Sequence, residues 1–438
     1  MGRLAQTPPM GWNSWDCYGT TVTEQEVLAN AQVMADRLLP HGWDTVVVDI
    51  DWYDPTARSH GYNDGAPLEL DAFGRQLPAE SRFPSAAGGR GFGPLADRVH
   101  ALGLKLGVHV MRGIPRRAVE LDLPIEGTGW TARDAACTDS VCTWNPDNYG
   151  LAHDHPAAQA YLDGLVAQLA GWGIDYLKVD DMLAPYHHDA VEAWATAIDR
   201  TGRDMVLSLS PGTHLSTEHV EHLRAHAQLW RISDDLWDRW EDVHAQFARL
   251  ARWAPFQRPG GWADADMLPL GRVGLRAERG EPRDSRLTLD EQRTLLSLWV
   301  MGRSPLMVGG DLPTSSEQTL DLLATPAVGQ VLRTASEGRE VVREPLDGGE
   351  LIVWTARSDV DSTRYVAAFW TGEQPYRAAL PVSALVGHRD ALAHGWTTRD
   401  LWAGGPGPEP QTTVDEPGGL LDVDVPAHGV AWLALDPH

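Results

Sequence analysis

The chain has 438 residues, of which 43% are hydrophobic and 22% are charged, and this composition is typical of a globular enzyme. The formal net charge of −25 at pH 7 argues against nucleic acid and anionic membranes as partners, because both bind basic surfaces. Apolar runs stay well short of the roughly 20 residues of a membrane-spanning helix, and 3 cysteines are too few for a disulfide scaffold.

Short β-branched runs alternate with amphipathic stretches up to about residue 335. The predicted strands lie at 10–12, 46–50, 104–110, 174–180, 204–210, 227–233, near Gly260 and at 304–309. The predicted helices between them include 24–39, 156–172, 189–200 and 241–253. This alternation predicts a parallel sheet covered by helices. About eight repeats without a glycine-rich dinucleotide loop favour a (β/α)₈ TIM barrel over a doubly wound sheet.

The pattern changes after about residue 335, where short alternating strands are separated by turn residues and no helix is predicted. We therefore predict an α/β protein with a catalytic barrel in residues 1–335 and a C-terminal antiparallel β-sandwich domain in residues 340–438. Two long non-periodic stretches, 54–91 and 113–155, follow the second and third strands. In a barrel such insertions lie at the C-terminal rim, where substrates bind.

Polar side chains collect at the predicted C-terminal ends of the barrel strands, where barrel enzymes build their sites. They are Asp49, Asp51, His109, Lys178, Asp180, Asp181, Ser208, Ser210, Arg231, Asp234 and Asp235, followed by Asp264 and Asp266 near the seventh strand. A single strand-end aspartate is commonly a helix N-cap. Four acidic clusters on one rim would repel each other, and capping does not explain them.

Strand parity selects among these carboxylates, because side chains two residues apart share a face of a strand. Lys178 therefore points the same way as Asp180, and the nearby cation lowers the pKa of that aspartate. Arg231 and Asp235 likewise share parity. One aspartate kept ionised and a second free to exchange a proton is the arrangement that glycoside hydrolysis requires. Two structural ion pairs are the alternative.

Five motifs extend this interpretation, and they occur in order along the chain. They are PPMGWNSW at 8–15, VVVDIDW at 46–52, YLKVDD at 176–181, WRISDD at 230–235 and GWADADML at 261–268. Together they resemble glycoside hydrolase family 27, the melibiase-type α-galactosidases, which form a clan with family 36. The resemblance implies a barrel followed by a β-sandwich, and a retaining mechanism that uses two aspartates.

The resemblance also implies roles for individual residues. The family nucleophile stands two residues after the lysine of a K-x-D motif, which is Asp180 here. Its acid/base stands four residues after the arginine of R-x-x-x-D, which is Asp235. Asp181 and Asp234 are the adjacent alternatives, and strand parity argues against both.

The substrate contacts of the family carry over unevenly. The predicted substrate-binding residues are Trp15, Asp49, Asp51, His109, Lys178, Ser210, Arg231 and Asp266. Asp49 matches the first of two adjacent family aspartates that bind galactose hydroxyls, but Ile50 stands where the second belongs, and Asp51 follows one place later. His109 replaces a tyrosine that is common in the family, and the segment 208–212 lacks the usual cysteine and carboxylate.

We therefore predict a retaining exo-glycosidase that hydrolyses terminal α-galactose-configured residues, with α-galactosidase as the first expectation. Because Ile50 removes a hydrogen-bond acceptor, a β-L-arabinopyranosidase is the next expectation and an isomaltose-type α-glucan hydrolase the third. An inactive sugar-binding protein and a glycosyltransferase using Asp49 and Asp51 are alternatives from other classes. No cofactor and no metal are predicted, because no carboxylate at a suitable spacing accompanies the histidine pairs His187-His188 and His153-His155.

The predicted partner is an oligosaccharide or another glycoside, and the sequence leaves open whether the chain forms a homo-oligomer. The first residues lack the apolar stretch of a signal peptide. This predicts a cytoplasmic protein, or a secreted one whose signal peptide has been removed.

Overall fold

The computed structural model describes residues 4–277, 279–403, 411–414 and 419–438. In the described N-terminal part, eight parallel strands form one sheet with the order β7-β6-β5-β4-β3-β2-β1-β8. These strands are β1 Met10–Asn13, β2 Thr45–Val48, β3 Lys105–Met111, β4 Tyr176–Asp180, β5 Val206–Leu209, β6 Leu229–Arg231, β7 Trp262–Asp264 and β8 Leu306–Val308. A parallel bridge between Leu268 and Val308 joins the two edges. The predicted barrel is confirmed.

One main helix follows each strand and covers the outside of the sheet. These helices are α1 Glu24–Val33, α2 Gly93–Ala101, α3 Pro156–Gly171, α4 His188–Thr201, α5 Val220–His226, α6 Trp240–Trp253, α7 Leu289–Gly302 and α8 Pro326–Thr334. Shorter helices lie at Trp15–Tyr18, Arg116–Glu120, Ala132–Ala135 and Glu317–Leu323. The strands are almost wholly buried, as the β-branched TVVV of β2 illustrates, because helices cover one face and barrel side chains fill the other.

Local signals in the sequence begin several of these helices. Thr23 accepts a hydrogen bond from the backbone N–H of Glu26, whose side chain accepts one from the backbone of Thr23 in return. Thr288 and Glu291 repeat this capping box at the start of α7. Each pair satisfies backbone donors that the first helical turn leaves free.

The two long insertions predicted for the rim follow β2 and β3. The second contains a small antiparallel sheet formed by Ile114–Pro115, Asn148–Leu151 and Ala136–Val141. A third rim segment, after β7, forms a hairpin from Arg272–Val273 and Arg283–Asp284. These segments carry side chains over the C-terminal end of the barrel.

The C-terminal region is antiparallel, as predicted. Its strands are β9 Ala335–Leu346, β10 Gly349–Ser358, β11 Arg364–Trp370, β12 Tyr376–Pro381, β13 Trp396–Asp400, β14 Gln411–Val414, β15 Leu420–Val425 and β16 Val430–Pro437. They form a sheet ordered β9-β10-β11-β16-β13-β14 and a pair β12-β15. The prediction of no helix here is wrong, because Val382–Val386 and His388–Ala393 are helical. Both are too short to show a helical period in the sequence.

The antiparallel sheet packs against the outside of the barrel at α6 and α7. Phe247 of α6 meets the ring of Phe369 edge to face at 5.0 Å, and Thr294 of α7 donates a hydrogen bond to the carbonyl of His428 at 2.8 Å. β9 begins directly after α8 ends at Thr334, and it runs across the predicted domain boundary. No helix in the described part of the chain has the length and apolar character that crossing a bilayer requires.

Candidate active site

A pocket of about 250 Å³ opens at the C-terminal end of the barrel. It is lined by Trp15, Asp49, Ile50, Tyr62, His109, Trp144, Lys178, Asp180, Pro211, Asp234, Asp235 and Arg279. Of the predicted residues, Ser210, Arg231 and Asp266 instead line a smaller cavity that shares Lys178 with the pocket. Pockets for drug-sized ligands usually measure roughly 300–1,000 Å³. The volume of this pocket is smaller and suits a single sugar ring.

Asp180 is the last residue of β4 and its carboxylate is held from two sides. His109 on β3 lies with its ring Nε2 at 3.1 Å from one carboxylate oxygen, and the backbone N–H of Asp181 donates to the other at 2.9 Å. Burial by itself raises the pKa of Asp180, but His109 and the charges of Lys178 and Arg231 outweigh it and hold the pKa well below its usual value. Asp180 is therefore an ionised carboxylate throughout the ordinary pH range.

Lys178 also makes a contact that strand parity does not predict. Its ammonium donates to Asp49 at 2.8 Å, and Asn13 donates to the same oxygen of Asp49 at 2.7 Å. Asp49 is itself buried, which raises its pKa, but the charges of Lys178 and His109 reverse this and lower it. Lys178 thus pairs directly with Asp49 and acts on Asp180 only through its charge.

Arg231 lies between two carboxylates. Its guanidinium donates to Asp235 at 2.8 Å and lies 3.2 Å from Asp266. Asp266 also accepts the backbone N–H of Leu236 at 2.7 Å, which ties the loop that carries Asp235 to the end of β7. Burial raises the pKa of Asp266 to about 7, even though Arg231 opposes the shift.

The adjacent alternatives to the two predicted aspartates have different surroundings. Asp181 has a left-handed backbone with a φ of 60°, and its carboxylate accepts two hydrogen bonds from Arg112 at 2.7 and 3.0 Å. It does not line the described pocket. Asp234 does line it, but one of its oxygens accepts the backbone N–H of Asp235 at 2.9 Å. The strand-parity argument therefore agrees with the geometry for Asp181.

Asp51 does not reach the pocket, contrary to the prediction that it contacts substrate. It too has a left-handed backbone, with a φ of 63°, and its carboxylate lies 3.4 Å from the amide of Asn145. Burial and the nearby charge of Asp147 raise its pKa well above the usual value. Residues 50 and 51 lie in a turn beyond the end of β2, which leaves Ile50 in the pocket wall and Asp51 outside it.

Aromatic rings form one wall of the pocket. Trp15 stacks on Tyr62 with ring centroids 5.8 Å apart, and Tyr62 meets Trp144 at 5.6 Å. Tyr62 and Arg279 are pocket residues that the sequence alone does not predict. Both lie on long rim segments, and no motif or spacing distinguishes them there.

The pH dependence of stability tests the burial of Asp266. Because its pKa in the folded protein is raised to about 7, the folded state binds the proton more tightly than the unfolded state. The contribution of Asp266 to the free energy of unfolding therefore decreases as the pH rises from about 4 to 7. The slope of this decrease is at most about 1.4 kcal/mol per pH unit. We expect Asp266→Asn to flatten that slope, measured by urea unfolding at pH 5, 6 and 7.

The matched control is Asp424→Asn, since Asp424 is an exposed aspartate on β15. It should leave the slope unchanged. Asp266→Asn lowers the overall stability as well, because an amide cannot accept from both Arg231 and Leu236, so the slope is the informative quantity. An unaltered slope in Asp266→Asn contradicts the raised pKa.

The described residues of the pocket hold no group of three histidine, cysteine or acidic side chains close enough to share a metal ion.

A family model described as "Alpha galactosidase A" matches residues 150–331 of the chain. The chain is 27% identical to alpha-galactosidase A of Cellvibrio japonicus, an alignment that covers 99% of this chain and 93% of that protein.

Solved structures show a closer similarity. A GH27 β-L-arabinopyranosidase from Geobacillus stearothermophilus is 44% identical, with a TM-score of 0.92 and coverage of 99% of this chain and 97% of that chain. A variant of that enzyme was solved in complex with arabinose. A putative α-N-acetylgalactosaminidase from Bacillus halodurans is 39% identical, with a TM-score of 0.86 and coverage of 100% and 99%.

Proposed function

Since the chain belongs to glycoside hydrolase family 27, the melibiase-type retaining glycosidases, we propose that it removes terminal β-L-arabinopyranosyl residues, with α-D-galactosides as its second substrate class. The sequence ranks these two sugars in the opposite order. The side chain of Ile50 in the pocket wall carries the revision.

In the proposed mechanism Asp180 attacks the anomeric carbon and forms a covalent glycosyl-enzyme. Its lowered pKa supports this role, because a nucleophilic carboxylate must be ionised before substrate binds. The hydrogen bonds from His109 and from the backbone N–H of Asp181 hold both oxygens and so orient the carboxylate. Lys178 and Asp49, which form an ion pair in the pocket, are proposed to bind the sugar hydroxyls.

Asp235 is the proposed acid/base. It gives a proton to the leaving oxygen in the first step and removes one from water in the second. Its contact with Arg231 uses only Oδ1, so Oδ2 is the oxygen that carries the proton. Side-chain exposure of 36% supports this role, since the water that attacks in the second step must reach the carboxylate.

The preference for arabinopyranosides follows from the difference between the two sugars. A β-L-arabinopyranoside is an α-D-galactoside that lacks the C6 hydroxymethyl group. In the family pattern, an aspartate at position 50 accepts a hydrogen bond from a galactose hydroxyl, whereas the side chain of Ile50 accepts none. Asp51 cannot replace that acceptor while it faces Asn145. A buried hydroxyl without a partner costs about 1–3 kcal/mol, or roughly 10–100-fold in discrimination.

The relatives support the same order. The glycosidase from Geobacillus stearothermophilus named for β-L-arabinopyranosides is 44% identical to this chain, whereas the alpha-galactosidase A of Cellvibrio japonicus is 27% identical. The curated α-galactosidases are the reason to keep α-galactosides as the second candidate.

Substrate specificity is tested with four p-nitrophenyl glycosides: β-L-arabinopyranoside, α-D-galactoside, α-D-glucoside and N-acetyl-α-D-galactosaminide. We expect kcat/KM for the arabinopyranoside to exceed that for the galactoside by about 10–100-fold. Ile50→Asp should restore the missing acceptor and reduce this ratio by a similar factor. Ile50→Val is the matched control, because it keeps the wall apolar and should preserve the preference.

A galactoside that is hydrolysed as fast as the arabinopyranoside by the native enzyme contradicts the proposed sugar. It leaves the retaining mechanism intact, since the two aspartates act at the anomeric carbon. Equal ratios in native protein and Ile50→Asp would show instead that position 50 does not contact the C6 region.

A further inference from the structure

Two helices outside the active site carry a cluster of metal-ligating side chains. His188 and Glu192 lie one turn apart on α4, and His222 lies on the neighbouring helix α5. Their candidate ligand atoms all lie within 4.8 Å of one another, and within the described residues no other such group occurs. The sequence analysis predicts no metal at His187 and His188, because no suitably spaced carboxylate was recognised there. Glu192, which lies four residues after His188 on α4, is such a carboxylate.

The spacing of the ligand atoms fits one small ion. An oxygen of Glu192 lies 3.7 Å from Nδ1 of His188 and 3.4 Å from Nε2 of His222. Two ligands about 2.1 Å from a tetrahedral zinc ion are roughly 3.4 Å apart. The carboxylate is therefore close enough to share an ion with both imidazoles, whose rings are stacked with centroids 3.8 Å apart, so that one ring must turn to direct its nitrogen at the ion.

A further group fixes the orientation of one ligand. The hydroxyl of Tyr186 lies 2.5 Å from Nδ1 of His222, so that Nε2 is the nitrogen turned toward Glu192. The ring of Tyr186 is itself held by stacking on His219, with centroids 3.8 Å apart. A partner on the second ring nitrogen is a regular feature of metal-bound histidines.

The types of ligand agree with this arrangement. Glu192 supplies the negative charge, and two nitrogen ligands with one oxygen suit zinc better than magnesium or calcium.

We propose that His188, Glu192 and His222 form a zinc site that links α4 to α5. These helices follow β4 and β5, and the loop after β4 carries Asp181 while the loop after β5 carries the pocket residue Pro211. An ion at this position connects two consecutive β/α units on the outside of the barrel. Its role is structural, because the ligands do not line the described pocket.

Isothermal titration calorimetry of the full chain, free of any histidine tag and treated with EDTA, tests the site. We expect ZnCl₂ to bind with one ion per chain, and MgCl₂ not to bind. Saturating zinc should raise the melting temperature by about 3 °C, because an ion that binds only the folded state stabilises it. His188→Gln and Glu192→Gln should each weaken zinc binding at least tenfold and abolish the thermal shift.

Two further variants separate ligation from nonspecific effects. Tyr186→Phe keeps all three ligands and should weaken binding about tenfold, since it removes only the orienting hydroxyl. His244→Gln removes a histidine of α6 that lies outside the cluster, and it should bind zinc like the native protein. Absence of zinc binding in the native chain overturns the proposal, as does native affinity in both His188→Gln and Glu192→Gln. Circular dichroism checks that each variant is folded.

Discussion

Asp180→Asn should lower kcat/KM by about four orders of magnitude or more on every glycoside that the native enzyme hydrolyses. The carboxamide has nearly the size of the carboxylate and keeps a neighbour for His109, so the fold should persist. It carries no negative charge, however, and cannot form the glycosyl ester through which a retaining enzyme proceeds. Loss of activity with an unchanged melting temperature is the expected result, measured with the arabinopyranoside and the galactoside.

Asp181→Asn is the matched control, because Asp181 is the next residue along and its carboxylate pairs with Arg112. Asp181→Asn should lower the stability, and it should lower kcat/KM far less than Asp180→Asn does. A second test uses Asp180→Gly with sodium azide, where the azide enters the space of the lost side chain and displaces the aglycone. The expected product is a glycosyl azide of inverted configuration. Asp180→Asn with near-native activity would contradict the assignment of the nucleophile.

Asp235→Ala should produce a loss that depends on the leaving group. A nitrophenolate departs without protonation, so kcat/KM for the nitrophenyl glycoside should fall by less than about tenfold. An alkyl or sugar aglycone requires the proton, and its kcat/KM should fall by about 10²–10⁴-fold. For the nitrophenyl substrate, kcat and KM should both decrease, because without a base the glycosyl-enzyme is hydrolysed slowly and accumulates.

Azide distinguishes this interpretation from simple damage to the pocket. It needs no general base, so it should raise kcat of Asp235→Ala on the nitrophenyl glycoside and give a product of retained configuration. Asp234→Ala is the control, since Asp234 lines the same pocket and its carboxylate accepts the adjacent backbone N–H of Asp235. Equal losses on both classes of substrate in Asp235→Ala would count against the acid/base role.

These two experiments rest on residues that the sequence alone brings forward. The strand–helix alternation predicts the barrel because parallel strands covered on both faces must be apolar along their length, and helices between them must be amphipathic. Once the strand ends are located, a period of two residues puts Lys178 and Asp180 on one face. Asp180, the last residue of β4, lines the pocket for this local reason, whereas Asp235 lies four residues beyond the end of β6, where no strand period applies.

Other features depend on contacts between distant parts of the chain. The partner of Lys178 is Asp49, which lies 129 residues earlier, and the neighbour of Asp180 is His109, which lies 71 residues earlier. The two-residue period describes the direction of side chains within one strand. It cannot identify which side chain of an adjacent strand contacts them. Tyr62 and Arg279 come from rim segments whose paths no sequence period describes.

The sequence by itself therefore determined the barrel and the antiparallel C-terminal region, because each depends on a repeat of apolar residues. Strand spacing together with the family resemblance predicts Asp180 and Asp235 as the catalytic pair. Only the tertiary structure decided that Ile50 and not Asp51 borders the pocket, since the chain enters a turn after Asp49 and the alternation of the strand does not continue. It also brought Glu192 and His222 together from two helices. Both outcomes depend on backbone direction and helix packing, which residue spacing along the chain does not encode.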